Sequence, residues 1–401
     1  MEDSLVFSYY YGHFRPLSSI FSSHVGQNYL TVPPYFFAWL FSWCDVRLQP
    51  WLYQWWGFCW AVAGCSVIFF SGMFRSRAIL LIGPSVLGLL GVNDIYYWNT
   101  LIYTMYTGLL VLFGLFFYPP PKTWGGSVIM ALFFVVLPWS GPYSVLLIPV
   151  SLLHFLFVRD WKKNIPVLLG LCSTVAYFTT VQSQTARFEH LQPWVVIRYL
   201  HVLLEKVVLF QLLDGVPLYW GFVVVLLLFL SLYFFRQDPD YVRNLLFMLC
   251  LITASLTLFF LSVKFPLYGQ TLACHRLISL FFWLVLLLYI SDRLLVLYRP
   301  PRYVAGAIVT FFFVVVTVAN IRFPSLGHAR PIPGVQEFVR AIAWYERVIA
   351  SEPGRYVELH LPTYLQLMQP RVRVGNQRPD ARPLENVRLP DPAWKRFLVR
   401  Q

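Results

Sequence analysis

Long apolar runs, set apart by short polar connections, decide what this chain can fold into. The runs cover 51–72, 78–93, 98–118, 125–139, 142–158, 164–181, 218–235, 244–263, 277–297 and 303–321. A helix crosses about 30 Å of hydrocarbon with roughly 20 such residues, because lipid offers no hydrogen-bond partner and the backbone satisfies itself. The pattern predicts an all-α polytopic membrane protein of about ten transmembrane helices. Composition agrees: of 401 residues 58% are hydrophobic and only 12% charged, half the charge of an ordinary soluble domain. The pair 125–139 and 142–158 reads either as two spans or as one long helix kinked at Ser140, Gly141 and Pro142.

The net charge of +13 is distributed by side. One set of alternate connections holds Arg75 and Arg77, then Lys122, then Arg159, Lys162 and Lys163, then Arg236 and Arg243, then Arg293, Arg299 and Arg302. Short basic loops of this kind stay in the cytoplasm. The opposite set comprises 1–50, 93–99, 140–142, 182–217, 264–276 and 322–401, is longer, and carries most of the remaining polar chemistry. The working face is therefore expected to be external. Ten spans with an external tail place Met1 outside too, although nothing before residue 50 has the basic start and apolar core of a signal peptide. The expectation is one further span immediately upstream of Glu2. The chain then divides into a first external loop (1–50), a transmembrane domain (51–321) and an external C-terminal region (322–401).

Several classes are excluded. A nucleic-acid binder gathers its cations in one stripe, whereas here they are scattered over loops. Neither GxGxxG nor GxxxxGK[ST] is present, so no nucleotide-binding α/β unit is expected. Asp238, Pro239 and Asp240 spell a metal-holding pair but sit in a short connection, and read as a solvated turn. The six cysteines show no zinc or redox spacing. Charges deep within spans are scarce, unlike in a pump; His154, near a cytoplasmic end, reads as a satisfied interfacial histidine.

The external segments hold the candidate chemistry. Glu2 and Asp3 open the first loop, which continues through Tyr9, Tyr10, Tyr11, His13 and Arg15. They are either a solvated terminus or, at the lip of the membrane, a general base whose carboxylate the low dielectric makes more basic. Residues 29–43, aromatic and broken by Pro33 and Pro34, predict a helix lying at the membrane surface. Asp94 stands where span 78–93 emerges, with Asn93, Asn99, Tyr96, Tyr97 and Trp98 around it. Aromatic faces beside amides suit a sugar ring; a belt of interfacial aromatics is the alternative. Residues 194–213 carry Arg198, His201 and Glu205 at helical spacing and predict a second interfacial helix. Lys264, Tyr268, Gln270, His275 and Arg276 crowd the mouth of the next span. Arg276 there either grips a lipid phosphate through paired N–H donors or snorkels to ordinary headgroups.

The C-terminal region holds 13 Lys and Arg against 7 Asp and Glu, +6 of the total. Within 334–350, Val335, Phe338, Val339, Ile342 and Ile349 share a helix face, and 355–361 alternates as a strand. This predicts a small α/β cap on the membrane domain.

Together these motifs resemble the GT-C superfamily, integral membrane glycosyltransferases, and most closely bacterial relatives of the protein O-mannosyltransferases and aminoarabinose transferases. The likeness rests on Glu2-Asp3-Ser4-Leu5-Val6-Phe7, on Asp94-Ile95-Tyr96-Tyr97-Trp98-Asn99, and on Ser140-Gly141-Pro142-Tyr143. It covers most of the membrane part. The acidic pair departs from the usual order, reading Glu-Asp where many relatives have Asp-Glu. The resemblance implies a polyprenyl-phosphate-linked sugar donor, membrane lipid as surroundings, no nucleotide, and a bacterial inner-membrane location with the active face external. Asp3 or Glu2 would be the base; Arg276, with Lys264, His275, Arg198, Asn99 and Tyr268, would hold the substrates; Asp94 would orient the acceptor or hold a divalent ion, the one cofactor the resemblance admits. The other readings are a lipid-linked-glycan flippase or transporter, and a relative that kept the fold without the activity.

Overall fold

The computed structural model describes residues 16–21, 31–90, 104–119, 121–180, 219–262, 273–298, 335–352, 354–360, 371–375 and 381–384, and single positions between 303 and 398. The described residues are mostly helical, with one small sheet.

A short 3₁₀ turn, Leu17–Phe21, precedes α1 (Val32–Phe41), the helix predicted for the membrane surface, with Pro33 and Pro34 in its first turn. Proline suits that position because the first helical N–H groups have no partner there. There follow α2 (Gln49–Phe70), α3 (Arg77–Leu90), α4 (Thr104–Gly114), α5 (Trp124–Val136), α6 (Leu147–Phe157) and α7 (Trp161–Thr180). The helices α8 (Tyr219–Phe235), α9 (Pro239–Ser262) and α10 (Ala273–Tyr298) come next, and Tyr303, Gly306, Ala307, Thr310, Phe311 and Val314 are helical too.

Among the described residues three helices are long and apolar enough to cross a membrane: α2, the Pro239–Leu258 stretch of α9, and the Ile278–Tyr298 stretch of α10. Ten full-length crossings are not reached among the described residues. The apolar run was legible, but its helix is often shorter than the run. Arg77–Leu90 has 14 residues, and α4 tightens into a 3₁₀ turn at Leu115–Phe117. The run 125–139 leaves α-helix at Val136 and passes into 3₁₀ turns at Leu137–Ser140 and Pro142–Leu146. The break falls at Gly141, whose φ of 152° and ψ of −179° are accessible essentially only to glycine. Residues 125–158 are therefore two helices, not one continuous kinked helix.

α4 runs antiparallel to α5 and α7, whereas the close pairs α2–α4 and α5–α7 run parallel. A Cβ on Gly108, near the start of α4, would lie 3.4 Å from Ser140 Oγ beyond the end of α5. At the opposite end, Lys163 at the start of α7 donates to the Phe116 carbonyl beyond the end of α4. One end of the bundle thus gathers the Arg- and Lys-bearing connections and is called the basic end below; the other is the far end. α10 is central, with 61% of its apolar window inside the protein, against 39% for α2. It packs most extensively on α9, where Ser255 Oγ and Ser279 Oγ meet at 2.5 Å. α5 and α7 approach closely at Gly170, where a Cβ would stand 2.8 Å from Phe134 Cδ1 and 3.2 Å from its carbonyl oxygen. Small residues permit such approach where no hydrophobic force draws helices together in lipid. Outward faces are apolar: α5 exposes Val128, Ile129, Leu132 and Val136, and α8 exposes Leu226, Phe229, Leu230 and Phe234. Continuous apolar surface of this kind suits hydrocarbon.

The C-terminal region forms the predicted α/β unit. α11 (Val335–Ala350) buries Phe338, Ala341, Ile342, Tyr345 and Ile349. It covers a sheet ordered β2-β1-β3, made of β1 (Arg355–His360), β2 (Arg371–Gly375) and β3 (Arg382–Pro383). β1 and β2 are antiparallel, with Val357 opposite Val374 and Leu359 opposite Val372; all four are buried. On the other face Arg373 stacks 4.0 Å above Tyr356 and pairs with Glu358 at 3.1 Å.

Candidate functional site

The described chemistry concentrates at the two ends of the bundle. At the basic end it is ionic and buried. Asp292, in the last third of α10, has no exposed surface. Its carboxylate accepts the backbone N–H of Ser76 at 2.7 Å and that of Arg75 at 3.1 Å, where the chain turns into α3. A helix start leaves N–H groups unpaired and carries partial positive charge, so a carboxylate belongs there. Here it comes from another helix, 216 residues along the chain.

Its neighbour Arg293 reaches Asp238 at 3.1 Å and donates to the Tyr289 hydroxyl at 2.8 Å. That hydroxyl also accepts from Asn244 Nδ2 at 3.3 Å. Asn244 Oδ1 in turn accepts from Arg243, whose remaining nitrogen pairs with Asp240 at 3.0 Å. Tyr241 stacks on Tyr289, with ring centres 5.4 Å apart, and donates to Ser231 of α8 at 2.9 Å. The connected set ties α3, α8, α9 and α10 together at one level.

A second group continues it. Lys163 is buried and donates to the carbonyls of Phe116 and Tyr118, which close the end of the α4 segment. Lys163 precedes the apolar stretch of α7, and burial, reinforced by the Arg243 guanidinium, pulls its ammonium down to about 8, against the opposing pull of Asp160 and Asp240. His154 lies beside it among Phe116, Phe155 and Phe247.

Three readings change here. His154 is fully buried among aromatic rings, and among the described residues the Asn164 side chain is its polar neighbour while neither ring nitrogen reaches hydrogen-bond geometry, so it is a core histidine and not an interfacial one. Asp238 is more than a solvated turn: its Oδ1 accepts the N–H groups of Asp240 and Tyr241 and caps α9. Arg293 is no loop residue, because α10 continues through it to Tyr298. Asp292 and Arg293 are an ionisable pair inside an apolar run, in itself a sequence signal of function or of a specific partner.

At the far end the buried polar groups among the described residues are uncharged. Trp139 Nε1 donates to Ser173 Oγ at 2.9 Å, and Ser173 donates to the Val135 carbonyl at 2.6 Å. Trp139 meets Tyr177 and Phe21 edge-on at 5.9 and 6.3 Å. Val32, at the start of α1, packs on Tyr177. Thus α1 and the Leu17–Phe21 turn form a shelf over the 137–146 break. Tyr106 and Tyr143 lie 5.5 Å apart beneath it. The hydroxyls of Thr31, Ser140 and Ser144 are buried and make no hydrogen bond among the described residues. α1 is fixed on α2 by Phe37 against Trp56, with ring centres 3.8 Å apart, while Trp43, Trp51 and Trp55 remain exposed, as an interfacial aromatic belt requires.

Of the predicted site residues, His275 and Arg276 fall in the first turn of α10. Glu2, Asp3, Asp94, Asn99, Arg198, Lys264 and Tyr268 lie outside the described residues. The far end is therefore known by its scaffold: the shelf, the end of α3 that leads to Asp94, and the start of α10 that bears Arg276. Among the described residues no three His, Cys, Asp or Glu side chains gather as a metal site. No protein-family model, curated protein or solved structure matches this chain.

Proposed function

We propose that the chain is a multi-pass membrane glycosyltransferase that moves a sugar from a polyprenyl-phosphate carrier to an acceptor hydroxyl. In this reading the chain crosses the bacterial inner membrane about ten times. The basic end is cytoplasmic; the far end and the C-terminal region are external. The observation that carries the choice of enzyme over carrier is the closed basic end. A carrier that alternates its access must admit water there, parting Asp292 from the start of α3, Asp238 from Arg293, and Lys163 from two carbonyls. Each contact with a buried charged group that is parted forfeits a hydrogen bond worth about 1.5–3 kcal/mol, and the partly exposed Asp238–Arg293 pair adds less. A permanent floor of this sort suits chemistry performed at the opposite end, where α1 lies in the interface and uncharged hydroxyls and aromatic rings surround the break at Gly141.

The reaction is a displacement at the anomeric carbon. The acceptor oxygen forms a bond to C1 as the bond from C1 to the phosphate oxygen breaks. The leaving electron pair stays on the polyprenyl phosphate, and the acceptor proton passes to Asp3. Charge grows on the phosphate in the transition state, so a guanidinium fixed at Arg276 lowers the barrier more than it tightens binding. Asp94 would orient the acceptor, Glu2 would substitute for or assist Asp3, and Lys264, His275, Arg198, Asn99 and Tyr268 would complete the donor and sugar contacts.

The test is sugar transfer by the full chain in proteoliposomes, using polyprenyl-phosphate-linked sugars, beside Asp3→Asn and a fluorescent lipid-scrambling assay. Transfer that Asp3→Asn abolishes is the expected result. Equal rates for both proteins remove Asp3 from the role, and scrambling without transfer overturns the enzyme reading.

A further inference from the structure

We infer that Asp292 is a positioning residue, one that sets the height of α3 against α10, the helix whose first turn bears Arg276. The inference rests on the transferase reading for its functional consequence, but the juxtaposition stands by itself. One buried carboxylate belongs to α10 and accepts the two backbone N–H groups that lead into α3. Backbone acceptance is strict about height. A side-chain partner can follow a sliding helix, whereas a backbone N–H moves with the whole helix.

Measured from this point the two helices reach similar levels. Ser76 to Leu90, the end of α3, is 14 residues, roughly 21 Å of helix. Asp292 back to Arg276 is 16 residues, roughly 24 Å. Asp94 follows Leu90 by four residues. The end of α3 that leads toward Asp94 in sequence and the start of α10 that bears Arg276 thus belong to two helices pinned at one carboxylate.

Three observations make α3 dependent on that pin. Pro84 lies inside it and removes an internal hydrogen bond. The helix packs on α10 as well as on α2. Beside the pin, Phe74, in the connection before α3, meets Tyr289 of α10 at 6.2 Å and stacks on Phe69 at 5.0 Å. The anchor is therefore placed, and the rest of α3 follows it.

The experiment uses spin labels at Leu90→Cys and Ala273→Cys, one at the far end of each helix, in the full chain with its native cysteines replaced. The starting protein and Asp292→Asn, which keeps the oxygen that accepts both N–H groups, should give one narrow distance distribution. Asp292→Leu, with similar bulk and no acceptor, should give a displaced or second population. Val150→Ala, buried in α6 away from the pin, controls for lost stability and should leave the distribution unchanged. In the transfer assay Asp292→Leu should lower kcat by about a hundredfold, the cost of a displacement near 1 Å, with donor KM kept and Asp292→Asn close to the starting protein. An unchanged distribution in Asp292→Leu overturns the inference. No transfer by the starting protein overturns the transferase reading instead, and the distances still decide the role of Asp292.

Discussion

Replacing Lys163 with methionine sets two effects of similar size against each other. The ammonium is buried, and burial holds its pKa at about 8, against 10.5 for a free lysine. That displacement is worth roughly 3 kcal/mol between the two protonation states. Between about pH 8 and pH 10.5 the unfolded chain holds the proton more firmly than the folded one, so stability rises with pH across that window. The gain is complete above 10.5 and is lost as pH falls through 8. Methionine removes the titration. It also removes the two bonds to the Phe116 and Tyr118 carbonyls, each worth about 1.5–3 kcal/mol as a charged hydrogen bond. Near neutral pH these losses and the relief of a buried charge nearly cancel, and the variant should melt within a few degrees of the parent. From pH 8 to pH 10 the parent should gain stability over Lys163→Met, approaching a difference of about 3 kcal/mol. Helical circular dichroism in detergent, followed through thermal unfolding of both proteins at half-unit pH steps, reads this directly. Melting curves that stay parallel across the window refute the buried-ammonium argument.

Gly141→Ala forces a side chain onto a φ of 152° and should destabilise by about 1–3 kcal/mol; an unchanged melting temperature would show that the break tolerates another backbone path. Asp238→Asn keeps the oxygen that caps α9 but loses the pairing charge, whereas Asp238→Ala loses both. Because Asp238 is about a third exposed, the ion pair contributes little, so chemical unfolding should find the alanine variant about 1 kcal/mol worse than the asparagine. Tyr345 in α11 is buried, its hydroxyl makes no hydrogen bond among the described residues, and burial pushes the phenol up to about 12. Tyr345→Phe should be neutral or stabilising by up to about 1 kcal/mol, and ultraviolet titration should show one fewer late-ionising tyrosine; a clear loss of stability would reveal a hydrogen bond.

The helices were legible because burial in lipid and burial in protein ask for the same residues. The run 218–235 became Tyr219–Phe235 and 164–181 became Trp161–Thr180. Span length was less legible: hydropathy does not register that Gly141 needs an unusual backbone angle, or that α4 tightens after Gly114. The polar pairing was least legible. Asp292 has the same neighbours in sequence whether it faces lipid, water or an amide, and its partner at Ser76 exists only once α3 and α10 are side by side. His154 was misread for the converse reason, since Phe247, which stacks on it, is 93 residues away. The external candidates were legible as residue types at loop ends; apart from the placement of His275 and Arg276 on α10, they lie outside the described residues.

The unequal burial of α10 and α5 has an evolutionary consequence. Along α5, Val128, Ile129, Leu132 and Val136 meet only surroundings that accept any apolar shape, so these positions are free to drift among Val, Ile, Leu and Phe. On α10, Phe281, Phe282, Leu284 and Tyr289 are enclosed by other side chains, and a change in one demands a change in its neighbours. Related sequences would therefore diverge fastest on the exposed apolar face of α5 and slowest along α10. Homology is then best sought with α10 and its Asp292–Arg293 pair rather than with the chain as a whole.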